Sequence, residues 1–351
     1  MLLKMVKIVI DTGNANISKQ QADLINTVST SILEGRLDQA QLLLNSLNSS
    51  APFRSVNHIH NQLYRETGEH KKETRSIWDK DIESFKKSSL WIQDFFDKCF
   101  DQIEKDKIKN IKIVEQSSIA SVGSCFATNF SKHLRKIGFQ NIHTLRVEEA
   151  VNSPRLIDLY LNPEKIDKKD IDFWNERFSV SSQNIIESIS NLDILILTFG
   201  VGFDFIDREK NLVINPNNIS ERIRNNEVYL QSPSVEEQAD YISSCLKKIS
   251  SVNPNLPVFV TLSPVPLSGF HGTHHVSIAN TLSKSSLALA IHKAKETTPF
   301  IYLPIYEIVT SLAEIVTNEP VWGEDGTTRH PKSHLVELIC RSFVDYIKSS
   351  D

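Results

Sequence analysis

The chain has 351 residues, enough for one large domain with a sizeable core or for two domains. Its content of 40% hydrophobic and 23% charged residues is typical of a soluble globular protein. A formal net charge of −4, without any basic block, gives no reason to expect a nucleic-acid partner or an anionic membrane surface.

The amino-terminal stretch "MLLKMVKIVIDTG" has a short apolar run that is interrupted by charged residues. It is too short for a membrane span and lacks a small-residue cleavage site, so the sequence predicts a cytoplasmic protein. The chain has four cysteines that lie far apart without a C-x-x-C pair: Cys99, Cys125, Cys245 and Cys340. This spacing disfavours a disulfide framework and a structural zinc site.

Residues 1–110 are predicted to form a helical region. In "LEGRLDQAQLLLNSL", apolar residues recur at helical spacing after Gly35. A similar turn recurs at Gly68, 68 − 35 = 33 residues later, close to the ~34-residue period of tetratricopeptide helix pairs. Two loose copies leave two alternatives, a tetratricopeptide-like module and an unrelated helical domain. Further along, the helical pattern predicts five aromatic core residues: Trp78, Phe85, Trp91, Phe95 and Phe96.

Residues 111–351 are predicted to form an α/β domain. Four short apolar runs fit strands that are buried on both faces of a parallel sheet: residues 118–123, 192–200, 256–265 and 298–309. Helical stretches between them, such as 234–250 and 280–296, favour a sheet with helices on both faces. Ligands of such folds gather at the carboxyl ends of the strands. Three such ends follow from the pattern, at Gly123, Gly200 and Ser263.

The segment "SVGSCFATNF" places Ser124 and Cys125 where a strand turns into a helix. Unpaired backbone N–H groups and the helix dipole create a positive potential there. This predicts a lowered pKa for the Cys125 thiol, and a donor-rich cradle for an oxyanion if Ser124 reacts instead. The structural alternative is that Cys125 is a small buried hydrophobic residue and Ser124 a helix N-cap.

A nucleophile of this kind needs a base, and the base is usually a histidine distant in sequence. Of eleven histidines, His330 stands out because it lies in a polar loop, "WGEDGTTRHPKSH", just before the last helix. Glu324 and Asp325 lie close to it in sequence and are candidates for an orienting carboxylate. The alternative is an ordinary exposed loop histidine.

A metal site is the rival interpretation of the histidines. His271, His274 and His275 crowd one loop, and His330 and His334 are four residues apart. Imidazoles at such spacings can ligate zinc, but no complete ligand set is present. The sequence therefore predicts no metal and no other cofactor.

The segment "VGSCFATNFSKHL" resembles the signature of the GSCFA family, a branch of the SGNH/GDSL-like hydrolases. Further blocks follow in the order of that family: "LILTFG", "TLSPV" with Ser263, "NTLSKSSL", "LPIYEI" and "RHP". The resemblance covers roughly residues 111–343. It implies a flavodoxin-like three-layer α/β/α sandwich with the nucleophile just after the first strand.

The resemblance also implies roles for the residues of the turn. SGNH enzymes have Gly-Asp-Ser there, and the third position corresponds to Cys125 in Gly123-Ser124-Cys125. Cys125 is therefore the implied nucleophile, with Ser124 as a supporting hydroxyl or, in a shifted register, the nucleophile itself. The implied oxyanion donors are the backbone N–H groups of Cys125 and Gly200.

One residue on the oxyanion side departs from the SGNH pattern, and other residues nearby are further candidates for the site. SGNH enzymes often have an asparagine two residues after the glycine of the second block, where this chain has Gly202. Asn152, in "VNSPRL", resembles the Asn-Pro between the first two blocks of the family and is a candidate for a polar contact. The residues that match the family helix are Asn280, Ser283 and Lys284. Their i, i+3 and i+4 spacing places them on one helix face, so they can point at the site together. The lysine is a candidate for holding an anionic substrate group, or else a solvated helix lysine.

A further departure concerns the acid. SGNH enzymes have an aspartate three residues before the histidine, and this chain has Thr327 there. Asp325 lies five residues before His330, so three alternatives remain: Asp325, Glu324, or a Cys-His dyad without an acid. A thiol needs less activation than a hydroxyl, so losing the acid harms a cysteine enzyme less.

Taken together, the residues and the resemblance predict an acyl-ester or thioester hydrolase or acyltransferase. Its acyl-enzyme would form on Cys125, with His330 as base. The expected substrate is an acylated small molecule, saccharide or carrier, without a nucleic-acid partner or a membrane span. The alternative is a catalytically decayed SGNH-fold scaffold that holds a protein partner through its helical N-terminal region.

Overall fold

The computed structural model describes the greater part of the chain, with five continuous stretches: residues 78–145, 153–166, 182–214, 219–324 and 326–349. The predicted helical-repeat turns at Gly35 and Gly68 lie outside the described residues, as do Asn152 and Asp325. The roles predicted for these four residues stay predictions.

Eight strands are described, numbered in chain order: β1 (Ile119–Gly123), β2 (Ile142–Leu145), β3 (Ile194–Phe199), β4 (Asp204–Asp207), β5 (Val213–Ile214), β6 (Val228–Gln231), β7 (Val258–Leu262) and β8 (Ile301–Tyr302). Five of them form one parallel sheet in the order β2-β1-β3-β7-β8. Counted within that sheet the order is 2-1-3-4-5, as in flavodoxin-like folds. The predicted α/β class is confirmed, and each of the four predicted runs contains a strand; the fourth run is a strand only at Ile301–Tyr302 and is helical from Ile305, and β2 was not predicted.

Twelve α-helices are described: α1 (Trp78–Lys86), α2 (Trp91–Cys99), α3 (Gln102–Lys109), α4 (Cys125–Lys136), α5 (Pro154–Leu161), α6 (Ser182–Ser190), α7 (Ile219–Arg224), α8 (Val235–Val252), α9 (Val276–Thr297), α10 (Ile305–Glu307), α11 (Ala313–Thr317) and α12 (Ser333–Lys348). A 3₁₀ turn, Pro163–Lys165, follows α5, and a π-helical turn, Ile308–Leu312, joins α10 to α11. Within the described stretches, no helix is both long enough and apolar enough to cross a bilayer.

The central strand β3 explains why the domain has three layers. All six of its residues are buried, and successive side chains enter different cores. Leu195 and Leu197 pack into a core that includes residues of α5, α8 and α9. Ile194 and Ile196 pack into a second core that includes residues of α4 and α12. Helices therefore cover both faces of the sheet, as predicted.

Helices α1–α3 belong to the second of these cores. Phe96 and Phe100 contact the ring of Tyr346 near the end of α12. Of the aromatic residues predicted as core, Phe85, Trp91 and Phe96 are buried and Phe95 is half-buried. Trp78 is 53% exposed, so the prediction was wrong there: the buried contacts of α1 come from Ile82 and Phe85, further along the helix. The predicted domain boundary near residue 110 stays a prediction.

A small antiparallel sheet, β5-β4-β6, lies in sequence between β3 and α8. The sequence analysis did not predict it. Its strands have only two to four residues, and β4 carries buried aspartates at both ends, Asp204 and Asp207. Such short segments lack the apolar periodicity by which a strand is found.

The turn from β1 into α4 depends on Gly123. Its φ is +122°, and a Cβ placed there would lie 2.0 Å from the carbonyl oxygen of Thr198 in β3. The same oxygen accepts a hydrogen bond of 3.3 Å from the backbone N–H of Ser124. A residue without a side chain is therefore required where β1 and β3 approach each other most closely.

We expect Gly123→Ala to lower the free energy of unfolding by more than about 2 kcal/mol, because it adds a collision to the ~1–2 kcal/mol cost of a left-handed backbone. Gly138→Ala is the control for backbone strain alone, since its φ is +111° but its nearest neighbour is 4.0 Å away. Gly269→Ala, with open space around it, is the control for the substitution itself. Urea unfolding measures all three. Equal losses for Gly123→Ala and Gly138→Ala would contradict the collision.

Candidate functional site

The candidate site lies where the chain leaves neighbouring strands in opposite directions. After β1 the chain continues to β2 on one side of the sheet, and after β3 it continues towards β7 on the other. The carboxyl ends of β1 and β3 therefore frame the crevice in which open α/β sheets bind ligands. Ser124 and Cys125 follow β1, and Gly200 follows β3.

Ser124 and Cys125 have different surroundings. Ser124 is 5% exposed and is the N-cap of α4, where its Oγ accepts a hydrogen bond of 3.3 Å from the N–H of Phe126. Cys125 is the first residue of α4 and is half-buried. The predicted N-cap role of Ser124 is therefore present. The thiol is the more accessible of the two groups.

Burial dominates the ionisation of Cys125. Loss of solvent raises the pKa of its thiol above the ordinary value, although the charges of Arg329 and Lys284 and the N–H groups at the start of α4 lower it. The predicted net lowering of the pKa was wrong. The sequence showed the helix terminus but not the depth at which the turn is buried. A thiol of this kind needs a base to become a nucleophile at neutral pH.

Helix α9 fixes the loops that follow β3 and β7. Ser283 Oγ accepts a hydrogen bond of 2.8 Å from the N–H of Gly202, and Asn280 Oδ1 accepts one of 3.1 Å from the N–H of Leu267. A Cβ at Gly202 would lie 2.6 Å from Ser286 Oγ. Position 202, where SGNH enzymes often have asparagine, thus has no side chain here because α9 fills the space.

Lys284 is the third residue of the α9 face that was predicted to point at the site. Its side chain is buried, with 3% exposure, and its Nζ donates a hydrogen bond of 2.8 Å to the carbonyl oxygen of Gly200. Burial lowers its pKa to about 7, while the Cys125 thiolate would raise it. The alternative of a solvated helix lysine was wrong. The amino group instead lies at the end of β3, where its charge affects Cys125.

The loop that carries His330 folds back on itself and is anchored by Arg329. The N–H of Gly323 donates to the carbonyl oxygen of His330 at 3.1 Å. The guanidinium of Arg329 donates from Nε and Nη2, both at 3.2 Å, to the carbonyl oxygen of Pro266 in the loop after β7. Its charge lowers the pKa of Cys125. Arg329 was missed in the sequence, where only its position next to His330 sets it apart. His330 is half-buried, and its role as base stays a prediction.

Glu324 is engaged at the start of α12. Its Oε2 accepts a hydrogen bond of 2.7 Å from the N–H of Ser333, the first residue of that helix. The Oγ of Ser333 lies 3.1 Å from Nε2 of the buried His133. This contact gives Glu324 a capping role. Asp325 and a dyad without an acid stay predictions for the partner of His330.

The remaining candidates lie in structural contacts. Ser263 shapes the turn after β7: its N–H donates to the carbonyl oxygen of Phe199 at 2.8 Å, and its Oγ accepts from Val265 at 3.3 Å. His275 caps α9 through Ser277. His334 is exposed and lies 3.4 Å from Glu319. Among the described residues, no cluster of three or more His, Cys, Asp or Glu side chains could hold a metal ion.

A buried carboxyl group, Asp204, is a further feature that the sequence did not reveal. It is fully buried and accepts a hydrogen bond from the hydroxyl of Ser153, while its Oδ2 has no hydrogen-bond partner among the described residues. Burial raises its pKa to about 6. It begins β4, two residues after Gly202, so it lies close in sequence to the loop that α9 fixes.

The chain matches the profile of the GSCFA family over residues 143–343, which is 343 − 143 + 1 = 201 of its 351 residues. It therefore belongs to the GSCFA family. The matched range contains Gly200, Lys284 and His330. It begins 143 − 125 = 18 residues after Cys125, so the segment that carries the family signature precedes it.

Solved structures provide a second comparison, and a search of curated proteins found no match. One similar structure is described as a GDSL-like lipase from Parabacteroides merdae, with 12% identity and a TM-score of 0.39. The similarity covers 68% of this chain and 98% of that one. A second solved structure is also 12% identical, with a TM-score of 0.36, covering 68% of this chain and 99% of that one.

The lowered pKa of Lys284 predicts how stability changes with pH. Between the folded value of about 7 and the ordinary value of 10.5, the unfolded chain binds more protons at this group. Its contribution to the free energy of unfolding should therefore rise between pH 7 and pH 8.5, by about 1.4 kcal/mol per unit at most. Lys284→Met should remove that rise.

Urea unfolding at pH 7.0, 7.75 and 8.5 measures this effect as a difference between wild type and variant. Lys293→Met is the matched control, because Lys293 lies on the same helix but is exposed and paired with Glu236. A wild-type slope that persists in Lys284→Met would show that another group titrates.

Proposed function

We propose that this protein is an acyl-ester or thioester hydrolase or acyltransferase that forms an acyl-enzyme on Cys125. Membership of the GSCFA family and the flavodoxin-like order of its parallel sheet support a hydrolase of the SGNH type. The observation that carries the proposal is the position of Cys125: a half-buried thiol at the first residue of α4, where β1 ends beside β3.

Acylation begins with removal of the thiol proton, for which we assign His330 as base. The thiolate attacks the acyl carbon, so a C–S bond forms and the carbonyl oxygen becomes negative. The N–H groups of Cys125 and Gly200 are the assigned donors to this oxygen. The tetrahedral intermediate collapses, the C–O or C–S bond to the leaving group breaks, and the leaving group takes the proton from His330.

Deacylation repeats these steps with a different nucleophile. Water or an acceptor hydroxyl or amine loses a proton to His330 and attacks the thioester carbon. The C–S bond to Cys125 then breaks, and the thiolate recovers the proton. Because a thioester is activated toward alcohols, amines and water, this intermediate suits transfer as well as hydrolysis.

The surroundings of the turn favour Cys125 over Ser124 as the nucleophile. Ser124 is buried and its Oγ accepts the N–H of Phe126 as a helix cap. Attack through that oxygen would remove the cap, at a cost of about 1 kcal/mol. Cys125 has no such duty, and the positive charges of Lys284 and Arg329 stabilise its thiolate.

The raised pKa of Cys125 predicts slow alkylation of the resting enzyme at neutral pH. In a Cys99→Ser background, where the other two cysteines are buried, iodoacetamide should react with Cys125 at a rate that still rises above pH 9. Peptide mass spectrometry of timed samples follows the rate. A plateau below pH 8 would mean that the thiolate is already formed at neutral pH.

Intact-protein mass spectrometry with a panel of activated esters and thioesters tests the acyl-enzyme itself. We expect an adduct that is lost in Cys125→Ala, kept in Ser124→Ala, and formed roughly 10²–10⁴-fold more slowly in His330→Ala. His334→Ala is the matched control, because that histidine is exposed and lies against Glu319. All variants carry Cys99→Ser, and circular dichroism confirms that each is folded.

Three other outcomes of this experiment would change or contradict the proposed mechanism. An adduct lost only in Ser124→Ala would move the nucleophile by one residue. Equal rates for His330→Ala and His334→Ala would remove His330 from the mechanism. No adduct with any donor would contradict the proposal and favour the alternative of a scaffold protein.

A further inference from the structure

Two cations near Cys125, Lys284 and Arg329, have no carboxylate partner among the described residues, unlike Arg222 and Lys295. Arg222 pairs with Asp207 at 2.7 Å, and Lys295 pairs with Glu104 at 2.6 Å. In the described stretches, Lys284 and Arg329 instead donate only to neutral main-chain carbonyl groups. Lys284 is buried and Arg329 is half-buried. A buried charge without a counter-ion is costly, so the retention of Lys284 calls for an explanation.

Both cations also retain donors. An ammonium group has three N–H donors, and Lys284 uses one on the carbonyl oxygen of Gly200. The guanidinium of Arg329 directs Nε and Nη2 to the single carbonyl oxygen of Pro266, and Nη1 has no acceptor among the described residues. These donors remain for a ligand.

Their placement ties both cations to one end of the sheet. Gly200 follows β3, and Pro266 lies in the loop after β7, the neighbouring strand. The N–H of Ser263 donates to Phe199 and joins these two strand ends. Both charges act on Cys125, which lies beyond β1 on the other side of β3. Two positive charges without a carboxylate partner in the described stretches are therefore located near the nucleophile.

We propose that the Cys125 site selects acyl donors that carry an anionic group, a carboxylate or a phosphate, and that Lys284 and Arg329 bind this group. The inference rests on the proposed function and adds its substrate class. Arg329 is the specificity-determining residue, because a guanidinium can hold a carboxylate or phosphate by two parallel hydrogen bonds. Lys284, whose Nζ lies at the Gly200 carbonyl, supplies a second charge.

Paired acyl donors of similar length test the charge preference. The probes are N-acetylcysteamine thioesters of succinate and of butyrate, with the neutral methyl ester of the succinyl compound as a size control. We expect kcat/KM to be at least tenfold higher for succinyl than for either neutral donor. A donor with a phosphate in place of the carboxylate distinguishes the two anions.

Variants then assign the preference to Arg329. Arg329→Gln should slow both donors, because its charge also acts on the thiolate, but should lower kcat/KM for the succinyl donor at least tenfold more than for the butyryl donor; Arg329→Lys should keep part of the preference. Arg341→Gln, on an exposed residue paired with Glu337, is the control. Equal losses for charged and neutral donors would mean that Arg329 acts only on the thiolate or the oxyanion, and would overturn the inference.

A binding measurement separates this inference from the proposed function. In the Cys99→Ser background, succinate or phosphate should slow alkylation of Cys125 by iodoacetamide, while butyramide should not, and Arg329→Gln should abolish the protection. Protection without turnover of any donor would keep the anion site and reject the acyl-enzyme. Turnover without either protection or charge preference would keep the enzyme and reject the anion site.

Discussion

The close approach of the β1 and β3 backbones at Gly123 and Thr198 is the constraint on which the site depends. Gly123 lacks a side chain, so the end of β1 lies against the carbonyl of Thr198, which then accepts the N–H of Ser124. That contact sets where α4 begins. A bulkier residue would move Ser124 and Cys125 away from the end of β3. The geometry of the candidate site is thus a consequence of one backbone contact.

Burial of this turn then decides its electrostatics. The same loss of solvent raises the pKa of the Cys125 thiol and lowers that of the Lys284 ammonium, since each shift favours the neutral form. A neutral Cys125 thiol beside a neutral Lys284 amine has the same net charge as a thiolate beside an ammonium group. A proton can therefore move between the two groups without changing the total charge of the site. The protonation states of Cys125 and Lys284 therefore depend on each other.

The sequence predicted what depends on local pattern. The runs at 192–200 and 256–265 are apolar on both faces of a strand, so β3 and β7 could be found, and the glycine after β1 marked the turn. The pKa of Cys125 was predicted in the wrong direction because the depth of its burial comes from helices distant in sequence. Arg329 had only its position next to His330 as a signal, because its anchor is a carbonyl in another loop, that of Pro266.

Gly202 lies where SGNH enzymes often have an asparagine. On sequence alone, the missing asparagine suggests a decayed oxyanion site. In the structure Ser283 and Ser286 occupy the space next to Gly202, and the adjacent Lys284 reaches the Gly200 carbonyl. Ser283 Oγ accepts the Gly202 N–H, and the buried Lys284 donates to the Gly200 carbonyl. The corner is therefore ordered by polar contacts from α9, and the burial of a lysine ammonium there is costly.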